Sequence, residues 1–313
     1  MSMLHVFKAL GDPTRLRLLA ILAQGDFNVN ELLEILRMGQ SRISRHLKIL
    51  ADNKLVGNRR EGNWIYYALA TNGTDSDLTI ALRLAINSAK ALPEYESDLQ
   101  HLESIVQRRR SLSQKYFNRV GPEWERLQRE VLDSGNYREQ VLELLPRDRE
   151  SAADLGVGAG LLLPELLKNF ASVIAIDSSQ TMLKVAADYI FRQMPQQRSR
   201  CEFRLGELEH LPISDRAVDA AVACMVLHHV SNPAAAIKEV YRIIKKGGRF
   251  VIADLQQHDI AEMREQYADL WLGFKKTDVS KWLRAAGFSV EKADVLNKSK
   301  NMQVLIFQAS KPA

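Results

Sequence analysis

A glycine-rich turn in the second half of the chain constrains the fold more than any other feature. The run Asp154–Gly160, with the sequence DLGVGAG, follows a short apolar strand pattern and leads into a helix pattern at Leu161. Glycines here permit a tight turn and let a ligand approach the backbone closely. The G-x-G-x-G spacing differs from the G-x-G-x-x-G pattern of pyrophosphate-binding turns. Asp154, two residues before the first glycine, suits a cationic group better than a phosphate.

Strand and helix patterns alternate from residue 151 onward, which is typical of a doubly wound α/β domain. Asp177 ends the second strand pattern, where a carboxylate can accept both hydroxyls of a ribose in nucleotide-binding α/β folds. The predicted strands are Ala152–Leu155, Val173–Asp177, Cys201–Leu205, Val218–Met225, Arg249–Leu255, Phe288–Val295 and Asn301–Ala309.

Five separated motifs in this half resemble class I S-adenosylmethionine-dependent methyltransferases, specifically the branch that includes the ubiquinone and menaquinone methyltransferases. The motifs are Asp154–Gly160, Asp177, Gly206–Leu208, Met225–Val230 and Lys245–Gly248. The resemblance spans about residues 116–310 and implies a seven-stranded Rossmann-like sheet that ends in a reversed edge hairpin. It also implies S-adenosylmethionine or S-adenosylhomocysteine as the cofactor.

The same resemblance implies roles for individual residues. The amino-acid part of the ligand would be held by Asp154 and the backbone of Gly156, Gly158 and Gly160. The remaining positions would be a ribose acceptor at Asp177, adenosine contacts at Ser178 and Met182, an adenine site at Glu207 and the Leu208 amide, and the mouth of the site at Met225.

The residues constrain the methyl acceptor less than the cofactor. His228 and His229 could serve as a base for the acceptor proton, although packing in the core and capping a turn is the more ordinary role for such a pair. Tyr116-Phe117 and Trp124 could cover the site or pack in the core. Residues 269–274 could equally border the acceptor pocket or pack in the core.

Several acceptors are disfavoured. The motifs of amino-methylating and cytosine-methylating nucleic-acid enzymes do not follow the fourth strand pattern, and two cysteines are too few for arsenite methylation. The branch that the motifs resemble acts on small molecules, so the resemblance implies a small-molecule acceptor.

The first 70 residues predict a different unit, built around a helix at Ser41–Asn53. Ile43, Leu47 and Leu50 recur at helical spacing and define a buried stripe. Hydroxyl and cationic side chains that can reach phosphates and guanine edges lie away from this stripe, although a simply solvated face has the same pattern. These candidate DNA contacts are Ser41, Arg42, Ser44, Arg45 and Lys48.

A basic hairpin pattern follows this helix, with a turn at residues 61–63 before Trp64. Arg59 and Arg60 on its first strand are candidate phosphate contacts. Together with the opening run Ala9–Leu16 and the run Ser41–Leu50, this segment resembles the ArsR family of winged-helix repressors over about residues 3–90. The resemblance implies a homodimer formed by the first and last helices of the unit on palindromic double-stranded operator DNA.

Departures from that family disfavour metal sensing. The helix pattern before Ser41 contains no cysteine, and the last helix, Leu78–Ala91, contains no histidine. We therefore expect no metal site. The chain's two cysteines, Cys201 and Cys224, also exclude a disulfide scaffold and fit a reducing cytoplasm. We expect no signal peptide and no membrane partner.

Charge and length agree with two joined domains. The 313 residues carry a net charge of +5, and the first 70 hold ten Lys/Arg against six Asp/Glu. We predict a winged helix-turn-helix domain of α+β class at 1–92, a helical connector with lid helices at 93–150, and an α/β methyltransferase domain at 151–313. The expected function is a DNA-binding regulator fused to a small-molecule methyltransferase; the alternative is a domain that senses S-adenosylmethionine and S-adenosylhomocysteine without turnover.

Overall fold

The computed structural model describes residues 3–61, 64–70, 77–123, 126, 134–147, 149–260, 262–296 and 302–313. The chain divides into two compact units, Met1–Arg109 and Arg110–Ala313. The predicted turn residues 62–63 and Trp124 lie outside the described residues. Among the described helices, none combines the length and apolar character needed to cross a membrane.

The first unit packs helices around a small antiparallel sheet with strand order β1-β3-β2. Its helices are α1 (Met3–Leu10), α2 (Pro13–Leu22), α3 (Val29–Leu36), α4 (Gln40–Asp52), α5 (Asp77–Ala89) and the first part of α6 (Tyr95–Val120). Its strands are β1 (Phe27–Asn28), β2 (Val56–Glu61) and β3 (Trp64–Leu69). Ile43, Leu47 and Leu50 of α4 are fully buried, as their spacing predicts.

Capping residues fix where the helices of this unit begin. Asp12 accepts a hydrogen bond of 3.1 Å from the Arg15 backbone N–H, and Pro13 occupies the first turn of α2. Asn28 and Glu31 form a reciprocal capping box at the start of α3. The short segment after α3 then leads into α4, which gives the predicted helix-turn-helix.

The second unit contains a seven-stranded sheet with strand order β6-β5-β4-β7-β8-β10-β9. Among the described strands of this sheet, β10 alone runs in the opposite direction, and it pairs antiparallel with β8 and β9. The strands are β4 (Arg149–Leu155), β5 (Phe170–Asp177), β6 (Cys201–Leu205), β7 (Val218–Cys224), β8 (Ile244–Leu255), β9 (Ser289–Leu296) and β10 (Val304–Ser310). The helices are the end of α6, α7 (Ser134–Leu144), α8 (Leu163–Asn169), α9 (Gln180–Gln193), α10 (Pro233–Ile243), α11 (Glu262–Tyr267) and α12 (Lys276–Ala286). The predicted multidomain fold, a winged helix followed by a Rossmann-like seven-stranded sheet, is confirmed.

Most predicted strands are shifted at one or both ends, and two of these differences bear on the site. β8 begins at Ile244 instead of Arg249, because the chain passes directly from α10 into pairing with Val218. β7 ends at Cys224 instead of Met225, because Met225 adopts a left-handed backbone with φ of 54° that a strand cannot continue.

The parallel strands bring the carboxyl ends of four strands to one edge of the sheet. The carboxyl ends of β4, β5, β6 and β7 are adjacent there, and helices packed on both faces bury the strands. In open α/β sheets, ligands bind in the crevice outside these carboxyl ends.

Candidate functional site

A cavity of the second unit opens at this edge of the sheet. The predicted cofactor residues line it, with the exception of Gly160. They are Asp154, Gly156, Gly158, Asp177, Ser178, Met182, Glu207, Leu208 and Met225. Gly160 lies outside the cavity wall and against α9, where a Cβ atom would stand 3.0 Å from Ala186. This glycine allows close packing of α9, and its contact with the amino-acid part of the ligand stays a prediction.

The glycine-rich turn is held by the end of β5. The backbone N–H groups of Gly156 and Val157 both donate to the Ile176 carbonyl at 2.8 Å, and the Gly158 N–H donates to Asp177 Oδ2 at 3.0 Å. A Cβ atom at Gly156 would lie 2.2 Å from the Val226 side chain, so that position requires glycine.

Two buried carboxylates lie beside this turn. Burial, reinforced by the nearby Asp177 charge, raises the pKa of Asp154 to about 7. Burial also raises the pKa of Asp177 to about 6, against backbone hydrogen bonds from Ser179 and Gly158 that favour its charged form. Asp154 Oδ2 receives no hydrogen bond from any residue that the structure describes. An unsatisfied buried carboxylate oxygen fits a cationic partner, such as the ammonium of an amino-acid group.

One face of α6 closes the cavity. Arg110, Ser113, Gln114 and Phe117 recur at helical spacing and all line it. Arg110 pairs with Glu207 at 3.1 Å and with Glu209 at 3.4 Å, and Gln114 donates to the Ser178 carbonyl at 2.7 Å. The sequence interpretation included Phe117 but missed the polar residues. Their helical spacing could have indicated a shared face of α6, but charged residues occur on all sides of this stretch and hide that pattern.

The two candidate histidines have different surroundings. His229 lines the cavity and stacks edge-on against Phe117 at 4.7 Å between ring centroids, whereas His228 does not line it. His228 Nδ1 lies 2.6 Å from Asp254 Oδ1, and its Nε2 lies 3.8 Å from Asp269 Oδ1. Sequence reasoning missed Asp254, because nothing in its strand distinguishes it from a solvated acid.

Electrostatics separate the histidines further. Although burial opposes it, Asp254 and Asp269 raise the pKa of His228 to about 9. Burial and the neighbouring His228 charge hold the pKa of His229 well below its ordinary value. Burial raises the pKa of Asp269 to about 7 against the attraction of His228.

The segment 269–274 does not border the cavity, which agrees with core packing, one of the two alternatives that the sequence left open. Trp271, Leu272 and Phe274 are buried in the core, and the Leu270 and Trp271 N–H groups donate to the His228 carbonyl. Hydrophobic burial of these side chains turns the segment inward.

The first unit presents the predicted face of α4 to solvent. All five candidate contacts on this helix are exposed, and Arg60 of β2 is exposed as well. They are Ser41, Arg42, Ser44, Arg45 and Lys48. Arg59 has different surroundings: it pairs with Asp26 and lies 5.5 Å from the centre of the Tyr66 ring. Its phosphate contact stays a prediction.

Fold and site together define a winged helix-turn-helix unit joined to a methyltransferase-type α/β unit. Residues 12–56 match the arsR family of bacterial regulatory proteins, and residues 153–252 match the methyltransferase domain family. The two resemblances expected from the sequence are therefore confirmed. The match to the methyltransferase domain family supports the expected cofactor class, S-adenosylmethionine or S-adenosylhomocysteine.

Individual relatives resemble parts of the chain. An uncharacterized 37.1 kDa protein in transposon TN4556 of Streptomyces fradiae is 37% identical over 123 residues, which are 38% of this chain and 34% of that protein. The arsenite methyltransferase of Halobacterium salinarum is 30% identical over 111 residues, 34% of this chain and 28% of that protein. The chain thus spans about a third or less of the length of these relatives.

Solved structures support the fold of the second unit. Geranyl diphosphate C-methyltransferase from Streptomyces coelicolor, in complex with Mg²⁺, geranyl diphosphate and S-adenosyl-L-homocysteine, superposes with a TM-score of 0.50 and 13% identity. The match covers 56% of this chain and 76% of that one.

Proposed function

We propose that the protein is a DNA-binding transcription regulator whose methyltransferase domain binds S-adenosylmethionine and transfers its methyl group to a small molecule. The observation that carries the cofactor part is Asp154, a buried carboxylate at the glycine-rich turn with an oxygen that accepts no hydrogen bond from the described residues. Operator binding would respond to occupancy of the cofactor site. A tenfold preference of the ligand for one DNA-binding state corresponds to about 1.4 kcal/mol.

The lining residues support a specific arrangement of the cofactor. Asp154 would take the ammonium group, and Asp177 at the end of β5 would accept the ribose hydroxyls. Glu207 would accept from the adenine amino group, with Ser178 and Met182 beside the adenosine. Glu207 is 40% exposed at its side chain and can turn from Arg110 towards a ligand.

The exposed face of α4 supports recognition of double-stranded operator DNA in the major groove, with Arg60 at the backbone. Large apolar side chains are exposed on α1 and α5, the two helices expected to form the homodimer. They are Leu4, Phe7, Ile80 and Leu84. Such a surface supports dimerisation through the first unit. A protein that acts on operator DNA is expected in the cytoplasm.

Methyl transfer is an in-line displacement in which an acceptor lone pair attacks the methyl carbon and the sulfonium sulfur keeps the electrons of the broken bond. Placing the two reactants in line supplies much of the rate. The wall formed by Phe117 and His229 is the candidate acceptor side. Arsenite is not proposed, since burial raises the pKa of both cysteine thiols and thiolates are the forms that bind such a soft ion.

A sensor without turnover is the second candidate, because the segment 269–274 packs in the core and contributes no wall for a methyl acceptor. One experiment separates the candidates. Purified protein is incubated with S-adenosylmethionine and small-molecule extracts, and S-adenosylhomocysteine is quantified while operator binding is followed by gel shift. Turnover supports the enzyme, whereas a gel shift that responds to ligand without turnover supports the sensor. Absence of cofactor binding contradicts both.

A further inference from the structure

The histidine pair and Asp269 form a group with the character of a metal centre. We propose that His228, His229 and Asp269 bind a divalent transition-metal ion of the Zn²⁺ type. One ligand atom from each residue lies within 4.8 Å of the others. This inference departs from the expectation of no metal and stands apart from the proposed function, because metal binding is measurable without cofactor or DNA.

Asp269 supplies the observation that points to a ligand. The residue is 3% exposed, and neither of its carboxylate oxygens accepts a hydrogen bond within the described part of the chain. A buried carboxylate in that state is costly. Oδ1 of Asp269 lies 3.8 Å from His228 Nε2 and 3.7 Å from His229 Nδ1, too far for hydrogen bonds. His229 Nδ1 also lies 3.3 Å from the Ala268 carbonyl oxygen, a long contact that a bound ion would replace.

These separations match ligands around a shared ion. With donors about 2.1 Å from Zn²⁺, two donors lie roughly 3.4–3.8 Å apart for angles between the tetrahedral value and about 130°. A simple ion pair would instead draw the carboxylate onto one nitrogen. The nearly equal distances to both histidines therefore favour an ion at their common centre.

Asp254 provides the outer support that metal-binding histidines require. Its Oδ1 lies 2.6 Å from His228 Nδ1, and its carboxylate also accepts from the Leu227 and Leu255 backbone N–H groups at 2.8 and 2.7 Å. A carboxylate fixed in this way keeps the proton on Nδ1. Metal binding would release the second proton, from Nε2, and the Nε2 lone pair would then point towards Asp269. This is the carboxylate–histidine–metal arrangement that sets the ligand's orientation and basicity.

The centre is reachable from the cavity, since His229 forms part of its wall. Three protein ligands leave a coordination position open in a four-coordinate zinc site. An oxygen or nitrogen donor of a small molecule in the cavity could occupy it. The donor set of two imidazoles and one carboxylate suits Zn²⁺ and Co²⁺ better than Mg²⁺ or Ca²⁺.

Titration of the chelator-treated full-length protein with Zn²⁺ by calorimetry, and with Co²⁺ by visible absorption, tests the site. We expect one ion per chain and a Co²⁺ spectrum typical of low coordination number. Asp269→Asn should weaken binding at least tenfold, and Asp254→Asn should weaken it by about 10–100-fold through the outer support alone. His210→Ala, which removes an exposed histidine, should leave it unchanged.

Zinc K-edge absorption of the unaltered protein keeps the test valid if a buried variant fails to fold, and should show two imidazole ligands. The proposal is overturned if the unaltered protein binds no stoichiometric ion, if its bound zinc lacks histidine ligands, or if His210→Ala abolishes binding while folded Asp269→Asn retains it.

Discussion

The Gly158 backbone N–H donates a hydrogen bond of 3.0 Å to Asp177 Oδ2, which ties the glycine-rich turn to the end of β5. Asp177 Oδ1 accepts from the Ser179 N–H at 2.9 Å. The carboxylate thus fixes two segments of the cavity wall while keeping further lone pairs for a ligand.

Replacing this carboxylate should weaken the cofactor site strongly. Asp177→Ala removes the ribose acceptor and the support of the turn, and two charge-assisted hydrogen bonds of about 1.5–3 kcal/mol each predict at least a ~100-fold loss of S-adenosylmethionine affinity. Isothermal calorimetry measures it. Asp188→Ala, at an exposed acid of α9, is the matched control. Unchanged affinity in Asp177→Ala would remove the ribose role.

Cofactor affinity should rise with pH near neutrality. Burial raises the pKa of Asp154 to about 7, so this carboxyl is largely neutral at pH 6 and largely charged at pH 8. Its attraction for the ammonium group is present in the charged form, which predicts roughly a tenfold gain in affinity between these pH values. Calorimetry across this range checks the slope. The isosteric Asp154→Asn should flatten it; a steep slope that persists in that variant would contradict the assignment.

Operator affinity should depend on the exposed face of α4. Arg45→Ala should weaken binding and reduce the slope of log affinity against log salt by about one, if Arg45 meets a phosphate, or relax base preference, if it meets a guanine. Cofactor binding should stay intact. Gel-shift titrations at several salt concentrations measure both effects. Lys90→Ala, which removes an exposed cation away from α4, provides the comparison. Equal losses in the two variants would indicate only a general charge effect.

Dimerisation should be lost when a charge is placed on the apolar surface of α5. Leu84 is 62% exposed, and Leu84→Glu would bury an unpaired carboxylate if that surface is an interface. Light scattering coupled to size exclusion should then report a monomer. Leu112→Glu is a close control, because Leu112 is 60% exposed on α6 in the second unit. A dimer that survives Leu84→Glu would place the interface elsewhere.

Stability of the first unit should depend on the buried pair Arg17–Asp98. The two side chains meet through bonds of 2.6 and 2.7 Å. Within the described residues, Asp98→Ala leaves the buried guanidinium with only the Leu36 carbonyl at 3.2 Å and the exposed Glu94 at 3.9 Å, and should lower the free energy of unfolding by about 3 kcal/mol. Glu34→Ala breaks the exposed pair with Arg108 and should cost less than about 1 kcal/mol. Urea unfolding distinguishes the two, and similar losses would argue against the buried pair's role.

The sequence predicted features that repeat locally better than features assembled at a distance. Helical spacing located the buried stripe of α4, and the glycine-rich turn located the cofactor edge of the sheet. The sequence did not predict that Asp26 would pair with Arg59, or that Asp254 would bind His228. Each of these pairs joins residues more than 25 positions apart. The sequence left two placements open for residues 269–274 for a related reason: an aromatic run predicts burial, but not whether the side chains line a cavity or pack in the core.

Met225 carries a consequence for how the cavity mouth can change. Its φ of 54° places a side chain in a backbone region that costs about 1–3 kcal/mol for residues other than glycine. Its N–H is held by the Ala253 carbonyl at 2.7 Å. The native state is therefore strained in its backbone at the rim of the cavity, in a conformation that the unfolded chain disfavours. Glycine at this position would relieve the strain and raise the free energy of unfolding, but it would leave the backbone at the rim less ordered. Stability of the fold and order of the rim therefore oppose each other at this residue.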